Sequence, residues 1–177
     1  EAEHLAAAGV KELILVAQDT AAYGRDKPGG PGIAALLREL IAIDGFRWVR
    51  LLYAHPARIT PELLAVMAAS PRILPYLDIP IQHGHDEVLR RLGRSYGRRD
   101  ILDTVRRIRE TLPGATLRTT VMAGFPGETE AHFQALADLV TEVEFDHLGV
   151  FLYSPETGTP AATWGPKVPR REARRRA

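Results

Sequence analysis

The sequence predicts an α/β fold built as an open, partial barrel of parallel strands. Three observations lead there. Five short apolar runs alternate with helical patterns along the chain. Their spacing is the roughly 30 residues of a βα unit. In three of the runs one face is apolar and the other carries charged and small side chains. Strands alternating with helices form parallel sheets through right-handed crossovers. A closed barrel fills its lumen with branched apolar layers, so a polar inward face favours an open barrel around a ligand.

Each element has its own local grounds. "EAEHLAAAG" (1–9) reads as the end of a helix closed by Gly9, and "ELILVAQD" (12–19) as the first strand. The glycine-rich "DKPGGPG" (26–32) is a surface loop before a helix over 32–43. "WVRLLYAHP" (48–56) is the second strand. Thr60-Pro61-Glu62 opens the next helix, over 60–70, with an N-cap and a proline at the first helical position. "YLDIPIQH" (76–83), a helix over 98–112 and "TLRTTVMAG" (116–124) follow. The helix over 128–143 carries Phe133, Leu136, Leu139, Val140 and Val143 as an i, i+3, i+4 stripe. "HLGVFLYS" (147–154) is the last strand. No linker interrupts this order, so residues 1–177 read as one domain. A helix feeding the first strand of such an array has a strand before it, and the chain stops inside an arginine run, so the sequence reads as a fragment.

Composition narrows the function classes. The 45% hydrophobic and 25% charged content is that of a soluble globular protein, and a cytoplasmic location is the default. No apolar run approaches the roughly 20 residues that span a membrane. The absence of cysteine excludes disulfides and thiolate-held metal within these residues. A net charge of +1 gives no global basic field, although "PKVPRREARRRA" at the end holds six basic residues and one acid. That run is either an exposed helix or a local phosphate-tracking patch.

Strand alternation sorts the candidate site. Arg118, Thr120, Met122 and Gly124 share one face of the fourth strand; Asp78, Pro80 and Gln82 share one face of the third; Arg50, Leu52 and Ala54 share one face of the second. Ligands of α/β folds sit beyond the carboxyl ends of the strands. Those ends read Gln18-Asp19-Thr20, His55-Pro56, Gln82-His83, Gly124-Phe125-Pro126-Gly127 and Tyr153-Ser154-Pro155. Gly124 allows close backbone approach and Gly127 a positive φ, while Glu128, Thr129 and Glu130 suit a helix start. No Gly-Lys-Ser/Thr follows, so this is not a phosphate loop. It is either a rim for an adenine or ribose, or a plain strand-to-helix turn.

Five stretches in order, "LVAQDTAAYGRD", "RLLYAHP", "YLDIPIQH", "RTTVMAGFPGET" and "FDHLGVFLYSPETGTPA", resemble the radical S-adenosylmethionine methylthiotransferases. "AQDTAAYG" and "DIPIQH" resemble the RimO branch, which modifies an aspartate of the twelfth small-subunit ribosomal protein. The tRNA-modifying branch more typically shows "GQNVNSY" and "LPVQSGS" there. The resemblance implies a six-stranded partial barrel of the radical SAM type, of which this chain holds strands two to six. It implies S-adenosylmethionine as cofactor and two [4Fe-4S] clusters, one on a CxxxCxxC loop after the first strand and one in an N-terminal domain. Reductive cleavage of the cofactor yields a 5′-deoxyadenosyl radical, which abstracts hydrogen from the substrate carbon before sulfur is inserted. A C-terminal TRAM domain holds the macromolecular substrate.

The resemblance also assigns roles. Gln18 and Asp19 approach the methionine amino group, and Asp78 and Gln82 the ribose or carboxylate. Arg118 is the carboxylate partner, with Thr120 on the same strand face. Gly124 and Phe125 flank the adenosine, and Tyr153 and Ser154 lie near the adenine or the substrate loop. The implied partner is the small-subunit ribosomal protein, with ribosomal RNA or tRNA contact, no membrane, and an oligomeric state left open. The chain departs from the pattern in lacking the cysteine loop, so no cluster is ligated by its own cysteines and the chain alone is expected to be inactive. Two further readings stand beside this one. His55, His83, His85 and Asp19 at strand ends suit a metal-dependent barrel hydrolase, and the arginine tail suits a non-enzymatic RNA- or ribosome-binding scaffold.

Overall fold

A computed structural model describes all 177 residues. Five parallel strands form one open sheet in the order β1-β2-β3-β4-β5: Glu12–Leu15, Trp48–Leu51, Ile73–Asp78, Thr116–Ala123 and His147–Leu152. Sequential order is what one-way βα crossovers produce. The principal helices are α1 (Ala2–Ala7), α2 (Ile33–Ala42), α3 (Pro61–Ala69), α4 (Asp86–Arg91), α5 (Arg98–Thr111), α6 (Glu130–Val143), α7 (Pro160–Thr163) and α8 (Arg170–Arg176). Two compact units result: Glu1–Pro80 with Asp103–Arg118, and Ile81–Leu102 with Thr119–Ala177. No helix is long and apolar enough to cross a membrane.

In the first unit the sheet core is Val49, Leu51, Ile73 and Leu77. Helix α2 buries Ile33, Ala34, Leu37 and Leu40, and α3 buries Leu63, Leu64, Val66 and Met67. Each fully buried side chain of this size contributes about 1.5–3 kcal/mol. Thr60 caps α3 as expected, its Oγ1 accepting the Leu63 N–H at 3.1 Å. Strand β3 begins at Ile73, three residues before the expected Tyr76. Pro75 disguised that start. It lies where the β2–β3 register slips between Val49↔Ile73 and Leu51↔Leu77, and a proline is tolerated inside a sheet at such an irregularity.

Arg72, just ahead of β3, secures the end of α2. Its guanidinium donates to the carbonyls of Ile41, Ile43 and Phe46. Ile41 is one of the last-turn carbonyls that α2 leaves without an intrahelical donor, and Ile43 and Phe46 lie in the segment just after it, where a cation is also favoured by the macrodipole.

The second unit packs around Ile81, Leu89, Val121, Leu139 and Val143. Helix α6 starts with a reciprocal cap, Thr129 Oγ1 accepting from His132 N and His132 Nδ1 accepting from Thr129 N. It ends at Glu144 with a left-handed φ of 51°. Of its expected stripe, Leu136, Leu139 and Val143 are buried, while Phe133 is half-buried.

Replacing Arg72 with Ala leaves three carbonyls without their donors. The expected cost is about 2 kcal/mol, read as a lower urea midpoint at unchanged slope.

Candidate functional site

In the first unit Asp78, the last residue of β3, comes together with Arg118, the third residue of β4 and its partner in the β3–β4 register. The Asp78 carboxylate is fully buried, with Arg118 Nη1 3.0 Å from Oδ2. That contact lies off the hydrogen-bond axis, so neither oxygen of Asp78 receives a hydrogen bond. Buried carboxylates are normally satisfied. Asp78 is therefore a strong acceptor for hydroxyl or ammonium donors, and Arg118 keeps guanidinium donors for an anion. Arg50, on the expected polar face of β2, is taken by Glu12 (Nε to Oε1, 2.6 Å) and lies 4.7 Å over the Tyr76 ring.

Gln18 and Asp19 do not end a strand, because β1 closes at Leu15. Gln18 is exposed. Asp19 starts a 3-10 turn, Thr20–Ala22, and its carboxylate accepts from the His55 N–H at 3.2 Å and from the Arg58 guanidinium. Thr20 ties this turn to the end of β2 by donating from Oγ1 to the Leu52 carbonyl at 2.6 Å. Tyr53, just past β2, has a φ of 56° and is exposed. That strained conformation just past a strand end has no local sequence signal.

In the second unit the expected strand does not reach Gln82 as regular strand. β3 stops at Asp78, and Gln82 takes a φ of 68°. His83 N donates to Ile81 O at 2.8 Å across it, the three-residue γ-turn of the rare, strained hand. Two bonds hold it there: Gln82 N to Thr120 O at 3.0 Å, and Met122 N to Gln82 O at 2.8 Å. Thr120 thus supports Gln82 through its backbone.

The Gly124–Gly127 turn has the positive φ values expected of it, 82° at Gly124 and 77° at Gly127. Glu128 is more than an acid in a helix start. Its fully buried carboxylate folds back over the turn, accepting from Gly124 N at 3.0 Å, Phe125 N at 3.4 Å and Arg176 Nη1 at 2.7 Å. His83 Nδ1 accepts the His85 N–H, so the neutral ring carries its proton on Nε2, 3.6 Å from Glu128 Oε2. Burial pushes the Glu128 carboxyl up, but His83, Arg176 and the Gly124 N–H outweigh it and hold it below the usual range. The Phe125 ring is buried, edge-on to Tyr153 at 5.5 Å and to Trp164 at 6.0 Å, with the Arg91 guanidinium 5.6 Å away. Tyr153 keeps a buried Oη without a hydrogen-bond partner, and Ser154 is exposed.

Among the histidines proposed as hydrolase ligands, His85 alone joins a ligand-like cluster, with Glu87 and His132. The two rings stack at 4.2 Å. Their Nδ1 atoms accept backbone N–H groups, from Glu87 for His85 and from Thr129 for His132. Such rings hold their protons on Nε2, the atom a zinc ion would need deprotonated. The cluster is a pair of helix caps.

The sequence matches the family model of the radical SAM superfamily over residues 1–140. The chain belongs to the radical SAM superfamily. Its solved structural relatives have the same fold. A radical SAM methyltransferase, TsrM, from Kitasatospora setae superposes with a TM-score of 0.66 at 22% identity, covering 86% of this chain and 29% of that one. Coproporphyrinogen III oxidase from Escherichia coli gives 0.64 at 20% identity, covering 80% and 33%. Curated relatives are more similar in sequence. Ribosomal protein uS12 methylthiotransferase RimO of Geobacter sulfurreducens is 48% identical over 99% of this chain, and that of Moorella thermoacetica 51% over 96%. The chain spans about two-fifths of the length of each, 39% in both cases.

The superfamily implies two groups, and the residues fit them differently. S-adenosylmethionine offers ribose hydroxyls, an ammonium and a carboxylate. The donor-poor Asp78 suits the first two and Arg118 the third. An iron-sulfur cluster held by thiolates finds no ligand among these 177 residues, which contain no cysteine.

Gln82→Gly removes the steric cost of a positive φ and is expected to leave stability unchanged or raise it by up to about 1 kcal/mol. Urea unfolding checks this. For Glu128 the folded pKa is depressed, so its stabilisation is complete above the ordinary carboxylate range and is lost as pH falls through the folded value. The wild type is expected to lose more stability than Glu128→Gln between about pH 6 and pH 3, as followed by acid-dependent thermal melts.

Proposed function

We propose that this chain is the S-adenosylmethionine-binding core of a methylthiotransferase acting on ribosomal protein uS12 in the cytoplasm. The observation that carries the reading is near-half identity to RimO proteins along almost the entire chain. Asp78 and Arg118 add the chemistry, a buried acceptor beside a permanent cation at a strand end. The reaction adds a methylthio group at the β carbon of an aspartate in uS12, and S-adenosylmethionine supplies the reactive adenosyl and methyl groups when bound. Arg118 binds the amino-acid carboxylate, and Asp78 accepts from ribose or ammonium. The left-handed backbone at Gln82 fixes where its side chain is presented. Tyr153 and Ser154, after β5, face adenine or substrate. Cluster thiolates come from outside these residues, and the 177-residue chain is inactive without them.

Arg118→Ala removes one cation from a site that a carboxylate needs. Calorimetry is expected to show S-adenosylmethionine binding weakened about tenfold or more, and unchanged affinity would take Arg118 out of the site. Activity is tested by carrying residues 1–177 in place of the matching segment of the Moorella thermoacetica relative. A mass increase on the aspartate-bearing peptide of uS12 is expected, and modification of tRNA instead would assign the chain to the other branch.

A further inference from the structure

Helix α8 is docked, not free. The expected exposed or phosphate-tracking arginines differ sharply among themselves: Arg170, Arg171 and Arg174 are exposed, whereas the Arg176 side chain is only 6% exposed. Its guanidinium reaches three carboxylates. Nη1 lies 2.7 Å from Glu128 Oε1, Nη2 3.1 Å from Glu130 Oε2, and Nε 3.0 Å from Glu172 Oε1. Nη1 also donates to the Glu128 carbonyl at 3.2 Å. Arg175 closes the outer side through Glu130 and Glu172, and both guanidiniums lie over the Phe133 ring at 5.7 and 5.6 Å.

A second contact is apolar. Ala173 is buried against Gly124, so closely that a Cβ built on Gly124 would stand 2.6 Å from the Ala173 Cβ. The glycine expected to admit a ligand admits α8 as well. Helix α8 therefore grips the turn twice, through Ala173 on Gly124 and through Arg176 on Glu128.

These contacts are coupled through one carboxylate. Glu128 Oε1 takes Arg176, while Oε2 takes the Gly124 and Phe125 N–H groups. If α8 leaves, a buried anion loses its arginine, and such a group must protonate or turn toward water. Either response weakens its hold on the Gly124 amide. Ala173 and Arg176 lie on one turn of α8, so the apolar and the ionic contact with the turn are made or lost together.

We propose that α8 is a latch for the Gly124–Gly127 turn, with Arg176 and Glu128 as its positioning residues, and that its docking sets the turn's affinity for S-adenosylmethionine. The second half rests on the reading of this chain as a cofactor-binding core. Arginine is required because one planar fork serves three acids. Lysine keeps the charge and loses the fork.

The test combines hydrogen exchange by mass spectrometry with calorimetric titration of S-adenosylmethionine, on the whole chain and three variants. Arg176→Ala removes the ion pairs. Ala173→Leu pushes the helix off Gly124 with every charge retained. Arg176→Lys asks for partial rescue. The first two are expected to speed exchange of the 124–128 amides about tenfold or more and to weaken cofactor binding about fivefold or more, with Arg176→Lys between them and the wild type. Unchanged exchange within Leu136–Val143 of α6 shows that the unit remains folded. Faster turn exchange at unaltered affinity overturns the link to the cofactor. Unaltered turn exchange overturns the latch. A wild-type chain that does not bind S-adenosylmethionine overturns the cofactor reading itself, while the exchange data still decide whether α8 holds the turn.

Discussion

Parallel connectivity is the constraint on which the rest of this molecule depends. A parallel pair cannot be joined by a tight hairpin, so every strand must be followed by a crossover that returns the chain to the same starting edge. In the first unit β1, β2 and β3 pair parallel in sequential order, so their carboxyl ends point the same way. Irregular features follow the strand ends in each unit. Tyr53 follows β2 and Gln82 follows β3, both at positive φ, while Asp78 ends β3 with its carboxylate short of donors. Regular ladder bonds and packed helices elsewhere hold these local costs in place.

Two buried carboxylates show how the same chemistry serves opposite ends. Glu128 and Asp78 are both fully buried and both face an arginine. Glu128 has two backbone N–H donors and an aligned guanidinium, a satisfied network of the kind that rigidifies a turn. Asp78 has an arginine at 3.0 Å without a hydrogen bond. A satisfied carboxylate has done its bonding within the protein. An unsatisfied one retains the capacity to accept further hydrogen bonds.

The sequence made the periodic part of this fold legible. Four strands begin at the expected residues, and the helices over 33–42, 61–69, 98–111 and 130–143 lie within two residues of expectation. Local alternation and capping determine those features, and both can be read within a window of a dozen residues. What escaped depends on distant partners. Arg72 finds carbonyls about thirty residues back, and Arg176 finds a carboxylate 48 residues back. No window contains both ends of such a bond. Gln82 lies four residues past the end of β3 rather than in it, because its γ-turn is imposed by its bond to the Thr120 carbonyl and the bond it accepts from Met122 N. Glu128 looked like an ordinary first-turn acid for the same reason.

Fold and substrate are carried by different parts of the chain. The sheet is shared at about one-fifth identity with a methyltransferase and an oxidase, so its core packing specifies the fold and nothing about the reacting partner. Agreement with RimO proteins reaches about half of all positions, well beyond what apolar burial alone requires. "AQDTAAYG" and "DIPIQH" span Asp19 and Gln82. One motif builds a turn held by Asp19, and the other a strained γ-turn, and neither is needed to bury a hydrophobic core. A left-handed Gln82 and an unsatisfied Asp78 both cost stability rather than add to it, so core packing does not account for them.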